Sequence, residues 1–186
     1  MLIPLLSAAA LFSSAPAYTR RDTAKSLSIV VAPTIRHTPV VGIKSEIIAD
    51  SIVVEKMKHV MTLFTDGKPV RTYRIALGKP KGDKVTVGDG RTPEGLFHID
   101  FRNAQSKYHK SLHISYPDVE HRKRAIALGT SPGGDIMIHG LPPAYADIGA
   151  AQSQYDWTEG CIAVTDAEIE EIWREVPNGA AIQIKP

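Results

Sequence analysis

Apolar and polar residues alternate in short runs from about residue 50 onward, which is typical of β-strands. Residues 52–54 are β-branched, residues 60–64 form a second apolar run, and residues 70–77 alternate between apolar and polar side chains. Asp66-Gly67 separates the second run from the third, and this dipeptide between two strand-like runs is a strong hairpin signal. The pattern therefore predicts an antiparallel hairpin early in the domain.

Four more runs predict strands further along the chain. Before them, residues 78–90 hold four glycines and several lysines, which indicates a loop. The predicted strands cover residues 95–99, 113–116, 136–138 and 181–184, and Pro117 ends the second of these.

One helix is clear from the pattern. Thr165 and Glu168 have the spacing of a capping box, which marks the start of a helix. An apolar face at helical spacing follows, and it consists of Ile169, Ile172, Trp173 and Val176. Residues 177–179, Pro-Asn-Gly, end the helix. Many short strands with one or two helices predict a mainly β fold, an antiparallel β-sandwich or barrel-like sheet.

The first residues are typical of an export signal rather than of the folded domain. Residues 1–17 carry no charged side chain, and their apolar stretch is too short to span a bilayer as a helix. Residues 15–17, Ala-Pro-Ala, have the form of a cleavage site, so we expect residues 1–17 to be a signal peptide. A buried or disordered N-terminal segment is the alternative. Residues 18–49 are interpreted as a linker with a short strand near residues 28–31, and residues 50–186 as one catalytic-sized domain.

Composition narrows the class of protein. The chain has 186 residues, of which 43% are hydrophobic and 23% charged, as in ordinary globular proteins. A net charge of +2 and an aromatic content of 6% argue against a nucleic-acid-binding protein. A single cysteine excludes an intramolecular disulfide and a zinc site built on several thiolates. The sequence indicates neither a cofactor nor a transmembrane helix in the mature protein, and it leaves the oligomeric state open.

The single cysteine and one histidine form the candidate chemistry. Cys161 follows Gly160 directly, and His139-Gly140 ends an apolar strand. A thiol with an ordinary pKa near 8.5 is mostly protonated at neutral pH, so a neighbouring imidazole is needed to take its proton. The pair would perform acyl transfer, with backbone N–H groups around Gly160 and Cys161 holding the oxyanion. From spacing alone, a buried structural cysteine with an ordinary histidine remains open, as does a mononuclear metal site with a further histidine.

The sequence resembles the L,D-transpeptidase catalytic domain family (YkuD-type), whose signature is His-Gly, a spacer and Ser/Thr-His-Gly-Cys. The counterparts are His139-Gly140 and the run Thr158-Glu159-Gly160-Cys161, and residues 90–99, GRTPEGLFHI, resemble the family's Thr-Pro-x-Gly segment. The similarity covers roughly residues 50–185. The resemblance implies export, a β-sandwich, action on peptidoglycan stem peptides, Cys161 as nucleophile and His139 as general base. It also implies an oxyanion site at Gly160 and Cys161, with Thr158 as a supporting hydroxyl.

Two positions depart from the family pattern. Glu159 stands where the family usually has histidine, and Ala163 where it commonly has arginine or asparagine. An ionised carboxylate close to the thiol would disfavour the thiolate. Glu159 is instead open to two roles, which are to orient His139 or to contact a cationic group of the substrate. The alanine leaves open how a substrate carboxylate would be recognised.

Three further residues are candidates for substrate binding. Tyr155 and Trp157 lie in the spacer just before the cysteine, where they would form a wall facing substrate or pack the loop, and packing is favoured for Trp157. His113 lies on a predicted strand and is the histidine expected beside the cleft.

The expected activity is that of a periplasmic L,D-transpeptidase. It would act on a stem tetrapeptide containing meso-diaminopimelate, through a thioester on Cys161, and pass the acyl group to an amine of another stem or of a protein lysine. A hydrolytic carboxypeptidase or amidase acting on the same bonds is the alternative within enzymes. A non-catalytic peptidoglycan-binding module is the alternative from another class.

Overall fold

The computed structural model describes residues 47–186. The proposed signal peptide, nearly all of the linker and the strand near residues 28–31 lie outside the described residues. Eight strands are present in residues 47–186: β1 Ser51–Glu55, β2 Val60–Thr65, β3 Lys68–Arg74, β4 Gly95–Ser106, β5 His109–Ile114, β6 Met137–His139, β7 Ile162–Ala163 and β8 Ala181–Lys185. The helices of this part are α1 Val119–Ala127, α2 Asp166–Glu175 and two 3₁₀ segments, Lys56–Lys58 and Pro143–Gln154. No helix of the described part is long and apolar enough to cross a bilayer.

The strands form one sheet in the order β3-β2-β1-β8-β4-β5-β6-β7. Most neighbouring pairs are antiparallel, which confirms the mainly β fold. The pairs β1·β8 and β6·β7 are parallel, so the sheet is mixed, whereas the pattern predicted an antiparallel sandwich or barrel-like sheet. Parallel neighbours need a long crossover connection. Residues 140–161, with their 3₁₀ segment, provide it between β6 and β7.

The predicted first hairpin is confirmed. Asp66 and Gly67 join β2 to β3, and both have positive φ, 51° and 71°. A tight two-residue turn of the type that matches strand twist requires positive φ at both positions, which glycine and aspartate tolerate. The Asp-Gly dipeptide therefore fixes the register of the outer strands.

The predicted capping box and the apolar face of α2 are also confirmed. The Thr165 side chain accepts from the Glu168 N–H, and the Glu168 carboxylate accepts from the Thr165 N–H. Such a cap is worth about 1 kcal/mol. Ile169 and Ile172 are fully buried, and each contributes on the order of 2 kcal/mol through the apolar area it removes from water. Helix α2 packs against β5, and its first residue adjoins the candidate site.

Helix α1 gave no periodic signal because it lacks an apolar stripe. Its buried side chains are His121 and Ala125, while the exposed face carries charges. Asp118 caps its first turn by accepting from the His121 N–H. Polar contacts of His121, together with its packing against Phe97 and Tyr116, therefore hold this helix.

A buried lysine fixes the glycine-rich loop between β3 and β4. The Lys56 side chain is 0% exposed, and its ammonium donates to the carbonyls of Gly82 and Thr92 and to the Glu94 carboxylate. A buried charge is tolerated only when it is paired and hydrogen-bonded in this way. The loop reaches the candidate site through Arg91.

Candidate functional site

The strand register brings the predicted histidine and cysteine to one face of the sheet. In the parallel pair β6·β7, Ile138 lies opposite Ile162, and both belong to the core. Because successive side chains of a strand point to opposite faces, His139 and Cys161, each next to one of these isoleucines, face away from that core. Both line one cleft of about 550 Å³. His139 and Cys161, which are 22 positions apart in the sequence, therefore line the same cavity.

The hydrogen bond of His139 fixes which nitrogen is available. Nδ1 lies 2.7 Å from the Gly140 carbonyl oxygen. A carbonyl oxygen only accepts, so Nδ1 carries the hydrogen, and Nε2 of the neutral ring is left as an acceptor. Burial lowers the pKa of His139, although the hydrogen bond to Gly140 opposes this shift. The imidazole is therefore neutral at neutral pH and able to take a proton.

Two aromatic rings hold the imidazole in place. Tyr108 stacks on His139 with ring centroids 4.4 Å apart, and Trp157 meets it edge-on with centroids 5.8 Å apart. The Trp157 indole N–H also donates to the Gln152 side chain. Trp157 therefore contacts both the loop, through Gln152, and the ring of His139. Tyr108, at the turn of the β4–β5 hairpin, was not singled out by the sequence.

Cys161 is a free thiol whose Sγ lies 3.5 Å from the Asp135 carbonyl oxygen, to which it donates. Burial raises the pKa of the Cys161 thiol, and the negative charge of Asp135 adds to that shift. The Met137 N–H and the charges of Lys84 and Lys107 lower it. The resting pair is therefore a neutral thiol and a neutral imidazole.

The turn before Cys161 is held by Thr158. The Thr158 hydroxyl donates to the Cys161 carbonyl at 2.7 Å and accepts from the Gly160 N–H at 3.2 Å. Gly160 has φ +125°, and a Cβ there would lie 2.6 Å from the Arg91 carbonyl oxygen. Only glycine fits this position. Since the Gly160 N–H is already bonded to Thr158, the Cys161 N–H is the better candidate for an oxyanion donor.

Gly140 is required for a different reason. A Cβ at Gly140 would lie 2.6 Å from Asp166 Oδ1, the atom that accepts from the Leu141 N–H. The missing side chain lets the start of α2 approach the chain just after His139. The same glycine's carbonyl orients the imidazole.

The remaining predicted residues do not line this cleft. Tyr155 is 77% exposed, and with Trp157 it lines a second, apolar cavity of about 390 Å³. His113 lies on β5 and pairs with Met137 of β6. Its Nδ1 is 2.6 Å from the Asp100 carboxylate. Glu159 is exposed, and its carboxylate forms no hydrogen bond or ion pair within residues 47–186. The group that hydrogen-bonds to Nδ1 of His139 is therefore the Gly140 carbonyl and not the Glu159 carboxylate.

Sequence reasoning missed most of the cleft wall. The lining residues besides His139 and Cys161 are Asn103, Ser106, Lys107, Tyr108, Ser111, Asp135 and Met137. Most come from the β4–β5 hairpin, whose register places them beside β6. One signal was available, because Gly133-Gly134-Asp135 directly precedes the strand that carries His139.

The model of one protein family matches this chain. It is the L,D-transpeptidase catalytic domain (YkuD), and the match covers residues 49–184. The chain belongs to the L,D-transpeptidase catalytic domain family. A search of curated proteins finds no match.

Solved structures show that the L,D-transpeptidase fold is shared. The helical cell shape determining protein Pgp2 from Campylobacter jejuni has a TM-score of 0.55 at 22% identity, over 74% of this chain and 47% of Pgp2. Bd1075 from Bdellovibrio bacteriovorus has a TM-score of 0.51 at 20% identity, over 75% of this chain and 51% of Bd1075. An L,D-transpeptidase from Mycobacterium smegmatis has a TM-score of 0.50 at 16% identity, over 74% and 59%. This chain spans about half the length of the first two proteins.

Proposed function

We propose that this protein is an exported cysteine acyltransferase, an L,D-transpeptidase that acts on peptidoglycan stem tetrapeptides. One observation carries the proposal, namely that the Cys161 thiol and the His139 imidazole line the same cleft while Nδ1 is held by Gly140. That hydrogen bond leaves Nε2 as the base. A nucleophile, a base and a group that orients the base are the parts needed for acyl transfer.

In the first half-reaction, Nε2 of His139 takes the Cys161 proton and the sulfur attacks the carbonyl between the diamino acid and the terminal D-Ala. The C–S bond forms, the negative oxygen is held by the Cys161 N–H, and the C–N bond then breaks. The leaving amine takes the proton from the imidazolium. A thioester on Cys161 and free D-Ala result.

In the second half-reaction, an acceptor amine gives its proton to Nε2 and attacks the thioester. The C–N bond forms, the C–S bond breaks, and the proton returns to sulfur. The acceptor is an amine of another stem peptide or of a protein lysine. With water in its place, the same steps give hydrolysis.

The other predicted residues take supporting roles in this scheme. Thr158 and Gly160 hold the turn that presents the thiol, and Gly140 orients the base. Tyr155 and Trp157, which line the second cavity, and His113, whose Nε2 lies 4.0 Å from the Asp135 carboxylate, are proposed as contacts for the substrate. Glu159, exposed and unpaired within residues 47–186, stays one candidate for contact with a cationic group of the substrate.

The substrate places the protein at the cell envelope, in the periplasm, where a cleaved signal peptide of residues 1–17 would deliver it. The structural similarity to a cell-shape-determining protein favours a role in cell wall organisation and cell shape.

The test is product analysis with purified disaccharide tetrapeptide. We expect the protein to release D-Ala and, when an amine acceptor is present, to form the transfer product. Cys161→Ala should lower turnover by about 10³-fold or more while its circular dichroism spectrum stays unchanged. Products formed only with water would assign hydrolysis, and full activity of Cys161→Ala would reject the thioester mechanism.

A carbapenem provides a second check that is independent of the acceptor. Mass spectrometry should show one covalent adduct on the protein and none on Cys161→Ala.

A further inference from the structure

Asp135 occupies an unusual position at the cleft. It is one of the few non-glycine residues of the described part with positive φ, 55°, and it lies two residues before the start of the strand that carries His139. Such a conformation costs free energy in residues other than glycine, and it often marks a functional site. Here it turns the Asp135 carbonyl toward the Cys161 thiol, 3.5 Å away.

The Asp135 side chain is exposed at the same cleft. Its carboxylate is 93% exposed, and the basic nitrogen within reach is His113 Nε2 at 4.0 Å. The other nitrogen of that ring is held by Asp100 at 2.6 Å, so His113 is shared between two carboxylates. The charge of Asp135 is therefore only weakly compensated in the free protein.

The charges of the cleft are few and opposite. Among the residues that line it, Asp135 supplies the one carboxylate and Lys107 the one ammonium. A negative charge beside a nucleophilic thiol opposes thiolate formation, and Asp135 does raise the pKa of Cys161. The same carboxylate would no longer oppose thiolate formation once a substrate places a positive charge beside it.

We propose that Asp135 determines specificity for the acyl donor by binding the side-chain ammonium of the diamino acid whose carbonyl is attacked. The inference rests on the proposed function, in which this carbonyl lies at Cys161 Sγ. The side chain of the same substrate residue then lies beside the thiol, where the Asp135 carboxylate is exposed. The carboxylate at the end of that side chain would pair with the Lys107 ammonium. The end of the substrate side chain, which carries one positive and one negative charge, would thus bind to a cleft that also carries one charge of each sign.

Binding would also prepare the nucleophile. An ammonium on Asp135 neutralises the charge that disfavours the thiolate, so the correct substrate eases its own attack. A donor without the ammonium leaves the negative charge in place. Selectivity is therefore expected in acylation of Cys161.

The experiment compares two donors, the disaccharide tetrapeptide and the same compound with its side-chain amine acetylated. In the unaltered protein, acetylation should lower kcat/KM for D-Ala release by about 10- to 100-fold, the range of a charge-assisted hydrogen bond. In Asp135→Asn the two donors should react equally. Asparagine also tolerates positive φ, so the turn is kept.

Asp147→Asn is the control because it removes one exposed carboxylate that has no hydrogen bond or ion pair within residues 47–186. It should keep the full preference for the free amine. Glu159→Gln tests the competing carboxylate. If Glu159→Gln abolishes the preference, or Asp135→Asn retains it, the assignment to Asp135 is wrong.

Two readouts separate this inference from the proposed function. Iodoacetamide should label Cys161 faster in Asp135→Asn than in the unaltered protein at neutral pH, and an equal rate would contradict the electrostatic role of Asp135. In a Cys161→Ala background, calorimetry should show tighter binding of the free-amine donor, and Asp135→Asn should remove the difference. Absence of turnover in the unaltered protein would end the acyltransfer proposal, whereas equal binding of the two donors in the Cys161→Ala background would end the assignment of Asp135.

Discussion

At the scale of single residues, burial decides the charge state of the candidate pair. His139 is 2% exposed, and the one described hydrogen bond of its ring runs from Nδ1 to a backbone carbonyl rather than to a carboxylate. No negative group therefore stabilises an imidazolium at Nδ1. In the proposed mechanism, the histidine therefore acts as a neutral base that becomes charged only while it holds the thiol's proton.

This state predicts a dependence of stability on pH. Because burial lowers the pKa of His139 in the folded protein, the unfolded chain binds the proton first as the pH falls. The stability associated with neutral His139 is complete above the ordinary histidine pKa of about 6.5 and is lost as the pH falls toward the folded-state pKa. His139→Gln should therefore lose less stability between about pH 7.5 and 5.5 in urea denaturation. A loss identical to that of the unaltered protein would contradict a buried neutral imidazole, and His98→Gln, at an exposed histidine, is the control.

The thiol gives a second residue-scale prediction. Burial raises the pKa of Cys161, so the rate of alkylation by iodoacetamide should rise with pH to a midpoint above that of an ordinary cysteine. Measuring the second-order rate across alkaline pH checks this, with Cys161→Ala as the blank. A plateau already reached at neutral pH would indicate a preformed thiolate–imidazolium pair instead.

The sequence could predict the candidate cysteine and histidine but not the residues around them. Cys161 and His139 stand next to glycines and at strand ends, which are signals that run along the chain. Tyr108 and Asp135 act through contacts with residues distant in sequence, and those contacts depend on the register of β5, β6 and β7. A one-residue shift would move each of these side chains to the other face, so no local pattern reports them.

At the scale of elements, the turn before Cys161 is the most constrained. Gly160→Ala adds a Cβ 2.6 Å from the Arg91 carbonyl oxygen at a position with φ +125°. We expect a loss of about 2–4 kcal/mol in unfolding free energy, from strain and from the clash, together with a loss of activity as Cys161 shifts. Chemical denaturation and D-Ala release would measure the two effects.

Gly88→Ala separates the two contributions to that loss. Gly88 also has positive φ, 77°, but a Cβ there meets nothing within 4 Å. The Gly88→Ala variant should lose only about 1 kcal/mol in unfolding free energy and keep its activity. Equal losses for the two variants would show that the Arg91 carbonyl does not restrict the turn.

Local signals predicted the elements that depend on local chemistry. The Asp66-Gly67 hairpin and the Thr165 capping box were confirmed because turn and cap preferences act over a few residues. The parallel pairs were not predicted, because a short strand such as β7, Ile162–Ala163, reads the same whichever way its neighbour runs. Helix α1 was missed because its face is polar.

At the scale of the whole molecule, the family explains the architecture. The mainly β fold predicted from the pattern is confirmed, and the family model covers nearly all of the described residues. The structural neighbours are 22% identical or less, so they support the fold alone. The proposed reaction and substrate are supported instead by the residues of the cleft.

The position of β8 has a consequence for how the described sheet is completed. This strand lies between β1 and β4 and pairs with both, while a second link, the bridge of Ala76 with Ala163, joins the stretch after β3 to β7. Until residues 181–185 take their place, the two groups of strands are joined by that short bridge instead of by paired strands. The thiol turn rests on the loop at Arg91, which Lys56 anchors from the end of β1. In the proposed mechanism, a chain whose residues 181–185 have not yet paired is therefore expected to carry Cys161 on an unfinished sheet, and to gain full activity when this strand pairs with both neighbours.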